Sequence, residues 1–430
     1  MSKIKILLIT ALTLGLGWAI RGHFGHEWGA SWAGAMAGLA VLFASQRKDW
    51  AQRAPALACL SAIGWAVGGM MSYGIVVGYC RGVEFWNVAY GYTMLAVIGG
   101  LYGFMGGGFF GLGLETTETN RPNWAALLTE MVAGAWLFWG LLIYQLEWTM
   151  TPPRSELWAA CLGAAVALAW HLHRNGFPHA MRVACYTAMG AGVGFAVGNF
   201  FQTMGTVSGV SYNWWNVMEF TLGFCGGLAL AYAVVNQDWP QCTKPSRSGN
   251  WLALIILFLV IPLTNLVCAF NAEDFIRVAK GLNILNPEQH AALQFRLGWI
   301  TILIFAIYSL VIWRQAQRHQ TKLAGLYVPL LCFGLSLYFM LFGFIRKSMF
   351  YLGFSLKHSD TLYIPLFLLP VAMWLLHRSK DESALPINPP IQESWKRWVV
   401  ILSGLMAIIV IITLISINSH DGLGNYHERF

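Results

Sequence analysis

The chain has 430 residues, of which 57% are hydrophobic and only 11% are charged, and its mean hydropathy is +0.56. A soluble domain has about 25% charged residues, so this composition excludes an ordinary soluble protein. The net charge of +8 does not indicate nucleic-acid binding, because the Lys and Arg residues lie in short segments between apolar runs. The sequence predicts an all-α, polytopic, tryptophan-rich membrane protein that contacts the lipid bilayer and binds no nucleic acid.

Apolar runs of about 17–25 residues, the length of a transmembrane helix, recur along nearly the whole chain. They lack the two-residue alternation of a β-barrel strand. The first run has no Ala-x-Ala cleavage site and is interpreted as a retained anchor. We expect about 13 transmembrane helices, at 4–20, 29–45, 55–78, 88–113, 125–145, 157–173, 183–205, 217–235, 251–271, 297–313, 324–345, 361–377 and 398–417.

The distribution of positive charge predicts the orientation of these helices. With alternating sides, 17 of the 27 Lys and Arg residues fall on the side of the N-terminus. The positive-inside rule then predicts a cytoplasmic N-terminus and an extracytoplasmic C-terminus. An integral, multi-pass protein of the bacterial inner membrane is the expected localisation, and its oligomeric state stays open.

Glycine content divides the chain near residue 236. Thirty-five of the 45 glycines lie in residues 1–235, which we expect to form a Gly- and Trp-rich core of about eight helices. The polar segment 236–250 is interpreted as a linker, and residues 251–430 as a C-terminal bundle of about five helices. Glycines every fourth residue, at 99–111 and 190–198, predict close helix packing.

The first part contains a pattern that predicts an internal repeat of helical hairpins. Gly17-Trp18-Ala19-Ile20 returns as Gly64-Trp65-Ala66-Val67 and as Gly194-Phe195-Ala196-Val197. A Trp-Asn-Val tripeptide follows the second and third copies, at 86–88 and 215–217. Parallel repeats with a binding site at their interface are common in transporters, and chance similarity of Gly- and Trp-rich segments is the alternative.

The segment GWAIRGHFGHEWG, residues 17–29, is the part that membrane insertion alone does not explain. It places Arg21, His23, His26 and Glu27 between two apolar runs, and a charge at the centre of a span costs about 2.5–3.5 kcal/mol on insertion scales. Three interpretations remain open: a buried Arg21–Glu27 ion pair, handling of a solute or of protons, and a metal site. Our prediction assigns no metal, because the spacing matches no zinc-protease motif.

Further polar side chains fall on the same predicted side of the membrane. In the predicted topology they surround an outward-facing polar vestibule, with Trp and Tyr beside them. Aromatic faces with amides and carboxylates suit a small polar, sugar-like solute. With the segment above, the predicted solute-binding or coupling residues are Arg21, His23, His26, Glu27, Arg81, Glu84, Asn87, Asn199, Gln202, Asn213, Asn216 and Glu219.

No nucleotide-binding loop or serine-hydrolase motif occurs, and no Gly-x-Gly-x-x-Gly fingerprint stands at a strand–helix junction, so we expect no cofactor and no ATP-driven transport by this chain. The leading hypothesis is a secondary transporter of a small polar solute, with proton coupling as an option. The first alternative is an integral-membrane transferase that modifies a carbohydrate or lipid-linked substrate at the outer face. The second is a scaffold subunit of a membrane complex.

Overall fold

The computed structural model describes residues 3–318, 324–348, 361–377 and 394–429, and every regular element within these ranges is a helix. Ten helices in them are long and apolar enough to cross a membrane. The class of a multi-pass helical membrane protein is therefore confirmed, whereas the expected count of 13 is not.

Ten helices cover the first 235 residues. They are α1 (Lys3–Arg21), α2 (His26–Ser45), α3 (Lys48–Gln52), α4 (Ala54–Gly69), α5 (Gly74–Tyr79), α6 (Phe85–Glu115), α7 (Trp124–Trp139), α8 (Leu157–Arg174), α9 (Pro178–Val207) and α10 (Trp214–Val235). A π-helical turn, Gly140–Gln145, extends α7.

The second part contributes seven helices in the described ranges. They are α11 (Arg247–Ile255), α12 (Ile261–Ala269), α13 (Ala272–Gly281), α14 (Pro287–Arg318), α15 (Ala324–Arg346), α16 (Tyr363–His377) and α17 (Trp395–Ile417). The π-helical turn Ile256–Val260 joins α11 to α12, so that the two form one apolar rod.

The predicted span 55–78 is wrong as a single helix. The structure ends α4 at Gly69, and residues 70–73 form a break before the short helix α5. Glycines at 68, 69 and 74 surround this break, and glycine is a poor residue for continuing a helix. Both α4 and the apolar part of α16 are shorter than a typical span, and α8 is not among the ten candidates.

Six helices of the first part form a closed ring. In order around the ring they are α1, α2, α4, α6, α9 and α10, and α10 packs back on α1. Each helix runs antiparallel to both of its neighbours, as their matching glycine contacts show. The ring consists of three helical hairpins, α1–α2, α4–α6 and α9–α10, while α7 and α8 pack outside it.

Glycines let the ring helices approach until backbones touch. A Cβ added at Gly99 or Gly103 of α6 would overlap the carbonyl of Ala191 or Thr187 on α9. On α9, Gly190 and Gly198 meet the backbone of α10 in the same way. The regular glycine spacing therefore reflects the close packing of α6 on α9 and of α9 on α10, because glycine leaves no side chain between the two backbones.

The helices outside the ring expose many large apolar side chains. α7 exposes Leu128, Val132, Trp136 and Leu137, while α14 and α17 expose similar rows of Leu, Ile and Val. Such apolar surface suits contact with lipid tails. The predicted linker 236–250 is hydrogen-bonded to the first part of the chain. Thr243 donates its N–H to the Thr116 carbonyl, and Cys242 donates its N–H to Asp49.

Candidate functional site

One end of the ring collects most of the predicted polar residues. The C-terminus of α1 and the N-terminus of α2 meet there, next to the end of α4 and the beginnings of α6 and α10. The side chain of Arg21 lies inside this end and is fully buried. We call this end of the ring the Arg21 end, and the opposite one the Lys3 end.

Arg21 is surrounded by partners from different parts of the chain. Its Nη2 donates to the Tyr73 hydroxyl at 3.1 Å and to Oε1 of Glu219 at 3.5 Å, and Nη1 donates to the carbonyl of His26 at 3.1 Å. The guanidinium also lies 4.6 Å from the centroid of the Trp18 ring. A charged group that cannot readily lose its proton is thereby held by acceptors and an aromatic face.

Glu219 and Tyr73 complete a three-residue network. The Tyr73 hydroxyl accepts from Arg21 and donates to Oε1 of Glu219 at 2.5 Å, so both side chains approach the same carboxylate oxygen. Glu219, in the second turn of α10, is 8% exposed. The network is close to neutral overall, since one guanidinium faces one carboxylate. Nε of Arg21 has no hydrogen-bond partner among the described residues.

The turn between α1 and α2 is built so that Arg21 can lie in the ring. Gly25 has φ of +87°, a conformation in which a side chain would be strained, and it reverses the chain after Phe24. A Cβ at Gly29 would overlap the Arg21 carbonyl, so glycine there lets α2 approach α1. His26 begins α2 and is exposed, with its Nδ1 at 3.3 Å from Nη1 of Arg21.

The Arg21–Glu27 ion pair that the sequence suggested is not formed. Glu27 is partly buried, and the carboxylate within reach of the guanidinium is that of Glu219, 198 positions further along the chain. Nδ1 of His23 lies 2.8 Å from the Tyr363 hydroxyl on α16, whereas Nδ1 of His26 lies beside Arg21. Within the described residues no three His, Cys, Asp or Glu side chains are grouped as metal ligands.

A second group of predicted residues contacts the C-terminal tail, residues 418–429. Nδ2 of Asn87 donates to the His427 carbonyl at 3.0 Å, and its Oδ1 accepts the Arg429 N–H at 2.7 Å. Nη1 of Arg81 donates to the Gly424 carbonyl at 2.7 Å. These two side chains therefore hold the tail against the Arg21 end, where the sequence predicted a vestibule.

The remaining predicted residues are spread over the ring. Asn216 donates to the Ala19 carbonyl at 2.8 Å and joins α10 to α1, while Asn213 precedes α10 and Glu84 is exposed. Asn199 and Gln202 are buried on α9; the Asn199 side chain lies beside the Cys80 thiol, and the Gln202 amide has no hydrogen-bond partner in the described part of the chain. They do not reach the Arg21 network through any described contact.

Tyr73 is the main residue that sequence reasoning missed. The continuous helix predicted at 55–78 makes this tyrosine one of many aromatic residues within the spans. The structure puts it in the break after α4, with a fully buried hydroxyl between Arg21 and Glu219. The glycines on both sides of residues 70–73 were the signal that could have located this break.

Comparison with known proteins identifies no match for this chain. No protein-family model matches the chain, and no curated protein or solved structure is detectably similar to it. The fold and the site define an integral, multi-pass helical membrane protein with a buried ion pair at one end of a helical ring.

Proposed function

We propose that the chain is a secondary transporter of a small polar solute, and that Arg21, Tyr73 and Glu219 form its solute- or proton-binding site. The observation that carries this proposal is the fully buried guanidinium paired with a carboxylate from the neighbouring ring helix, α10. Ionisable groups inside a membrane bundle are costly, and they commonly mark solute or proton pathways.

Protonation supplies the mechanism. Glu219 is the carboxylate partner of Arg21, so a proton that neutralises it would free the guanidinium for hydroxyl or acidic groups of a solute. Tyr73 touches both side chains and would keep a hydrogen bond to either one. The exposed His26 ring lies beside Arg21 and would offer the entering solute a first polar contact.

The chemical class of the solute follows from the same residues. Trp18, Tyr73 and Tyr102 present aromatic rings to the guanidinium, with ring centroids 4.6, 5.7 and 5.9 Å away. Aromatic faces combined with a fork of donors and one carboxylate suit a polyhydroxylated, sugar-like molecule. The proposed partner is therefore a small solute that carries several hydroxyl groups.

Metabolite profiling of a deletion strain would name the solute, and uptake into proteoliposomes would test transport. We expect Glu219→Gln to lose accumulation driven by a proton gradient while it retains solute exchange, because the amide can still bond to Arg21 and Tyr73 but cannot take up a proton. Glu273→Gln, an exposed carboxylate on α13, is the matched control and should behave as the wild type. A modified lipid-linked product without solute movement would instead support the transferase alternative.

A further inference from the structure

A cavity of about 460 Å³ opens at the Lys3 end, the side of the ring opposite to the Arg21 network. It lies between the first turns of α4, the beginning of α7 and the beginning of α11. None of the predicted solute-binding residues lines it, so it is separate from the proposed transport site.

The mouth of the cavity is basic. Arg53, Arg121 and Lys244 line it, and Arg53 is held in the wall because its Nη1 donates to the Gly113 carbonyl at 2.9 Å. The carboxylate of Glu118 lies behind this mouth, bonded to the Thr243 hydroxyl, to the Lys244 N–H at 2.7 Å and to Arg121. One negative charge among three positive ones leaves a net positive mouth.

The Glu118 carboxylate stays ionised at physiological pH, so its titration does not change the net charge of the mouth. The Thr243 hydroxyl, the Lys244 N–H and the Arg121 guanidinium lower the pKa of Glu118 to about 2. The carboxylate therefore stays ionised above that pH, and the balance of charges at the mouth is constant across the physiological range.

Beyond the mouth the walls become apolar. Leu60 and Ile63 of α4, with Leu252 and Ile256 of the α11 rod, line the cavity. Ile63 lies about 15 Å from Arg53 along the axis of α4, from a rise of 1.5 Å per residue. The cavity therefore pairs a cationic mouth with an apolar interior, which is the arrangement of a phospholipid headgroup and its acyl chains.

We infer that this cavity binds an anionic phospholipid, such as phosphatidylglycerol. The phosphate would lie among Arg53, Arg121 and Lys244, and an acyl chain would follow the apolar walls. Basic pockets between transmembrane helices are known to bind anionic headgroups. A free phosphate ion would leave the apolar walls without a partner.

The test uses the full chain, reconstituted in nanodiscs that contain equal amounts of phosphatidylglycerol and phosphatidylethanolamine. After a detergent wash, native mass spectrometry counts the retained lipids. We expect the wild type to retain phosphatidylglycerol, and the Arg121→Gln/Lys244→Gln variant to retain at least fivefold less. Both side chains are exposed, so the variant should fold, and size-exclusion chromatography checks this.

The control is Lys5→Gln/Lys48→Gln, which removes two exposed charges from the same end but outside the cavity. It should retain phosphatidylglycerol as the wild type does. Equal retention of both lipids by the wild type, or unchanged retention by the cavity variant, would overturn the inference. Thermal stabilisation by inorganic phosphate equal to that by the lipid would show an anion site without lipid specificity and would also overturn it.

Discussion

Arg21 illustrates how a permanently charged side chain can be tolerated inside a membrane bundle. Its guanidinium is fully buried, yet it meets a carboxylate, a hydroxyl, a carbonyl and an aromatic face. Removing one partner of a buried ion pair commonly costs about 3–5 kcal/mol, whereas replacing both by apolar residues is often nearly neutral. This asymmetry separates a structural role of the pair from a functional one.

We expect Glu219→Leu alone to destabilise the protein by about 3–5 kcal/mol, because Arg21 would remain buried without its carboxylate. The double variant Arg21→Met/Glu219→Leu should recover most of that loss, since no uncompensated charge is left. Thermal unfolding in detergent measures the stability of both variants.

Uptake measurements on the same variants distinguish a structural role of the Arg21–Glu219 pair from a functional one. Uptake should be absent in the double variant even though its stability has recovered. Full uptake by a stable double variant would show that the pair is structural only.

Asp49 at the Lys3 end gives a pH-dependent prediction outside the spans. Burial opposes its ionisation, but hydrogen bonds from Arg47 and from the Cys242 N–H outweigh burial and lower the pKa of Asp49. A lowered folded-state pKa stabilises above the unfolded value of about 3.9, and this stabilisation is lost as the pH falls. Asp49→Asn should therefore lower the melting temperature at pH 7 but much less at pH 3. A difference that grows towards low pH would contradict this sign.

Among the elements, the contact between α6 and α9 depends most directly on glycine. A Cβ at Gly103 would overlap the Thr187 carbonyl, whereas the nearest atom to a Cβ at Gly100 is 3.7 Å away. Gly100 and Gly103 are three residues apart on the same helix. Substitution at either position changes the helix propensity in the same way, but only Gly103 packs closely against α9.

Gly103→Ala should therefore destabilise the protein by about 1–3 kcal/mol through overpacking against α9. Gly100→Ala is the control, and it should be neutral or stabilising by up to about 1 kcal/mol because alanine favours the helix. Thermal unfolding of both variants in the same detergent measures the difference. Equal effects would mean that α6 and α9 are not held by this close approach.

At the scale of the whole molecule, the closed ring consists of three hairpins whose helices all run antiparallel to their neighbours, with α7 and α8 inserted between the second and the third. Trp18 and Trp65 occupy equivalent positions of the proposed repeat. The centroids of their indole rings lie 5.0 Å apart inside the ring of helices. Phe195, the third equivalent residue, packs against Tyr73 and Tyr102. The repeat itself stays a prediction, and so does the orientation in the membrane.

Cysteine labelling tests that orientation in a variant without native cysteines. Lys48→Cys should react with an impermeant reagent only from the cytoplasm, and Arg154→Cys only from the outside, because the positive-inside rule favours a cytoplasmic Lys3 end. Both positions are exposed. Labelling of the two positions from one side would contradict the predicted topology.

The sequence predicted the class of fold well because long apolar runs have few structural solutions in a membrane. It also indicated Arg21 as a residue that needs partners, since its charge conflicts with its surroundings. It could not identify Glu219 as the partner or place Tyr73, because both depend on how α10 and the break after α4 close the ring. Asn87 was predicted as a solute ligand, and only the folded chain shows that the tail takes its hydrogen bonds.

The position of the C-terminal tail has a consequence for biosynthesis. Asn87 bonds to residues that follow it by 340 and 342 positions. The chain is made from its N-terminus, and its early parts fold first. During synthesis the Asn87 amide can therefore donate to the nearby Tyr79 carbonyl at once, but its bonds to the tail form only after residues 427–429 have been made. The tail reaches Arg81 and Asn87 only after α17 has been made, so this part of the Arg21 end gains its last contacts late in synthesis.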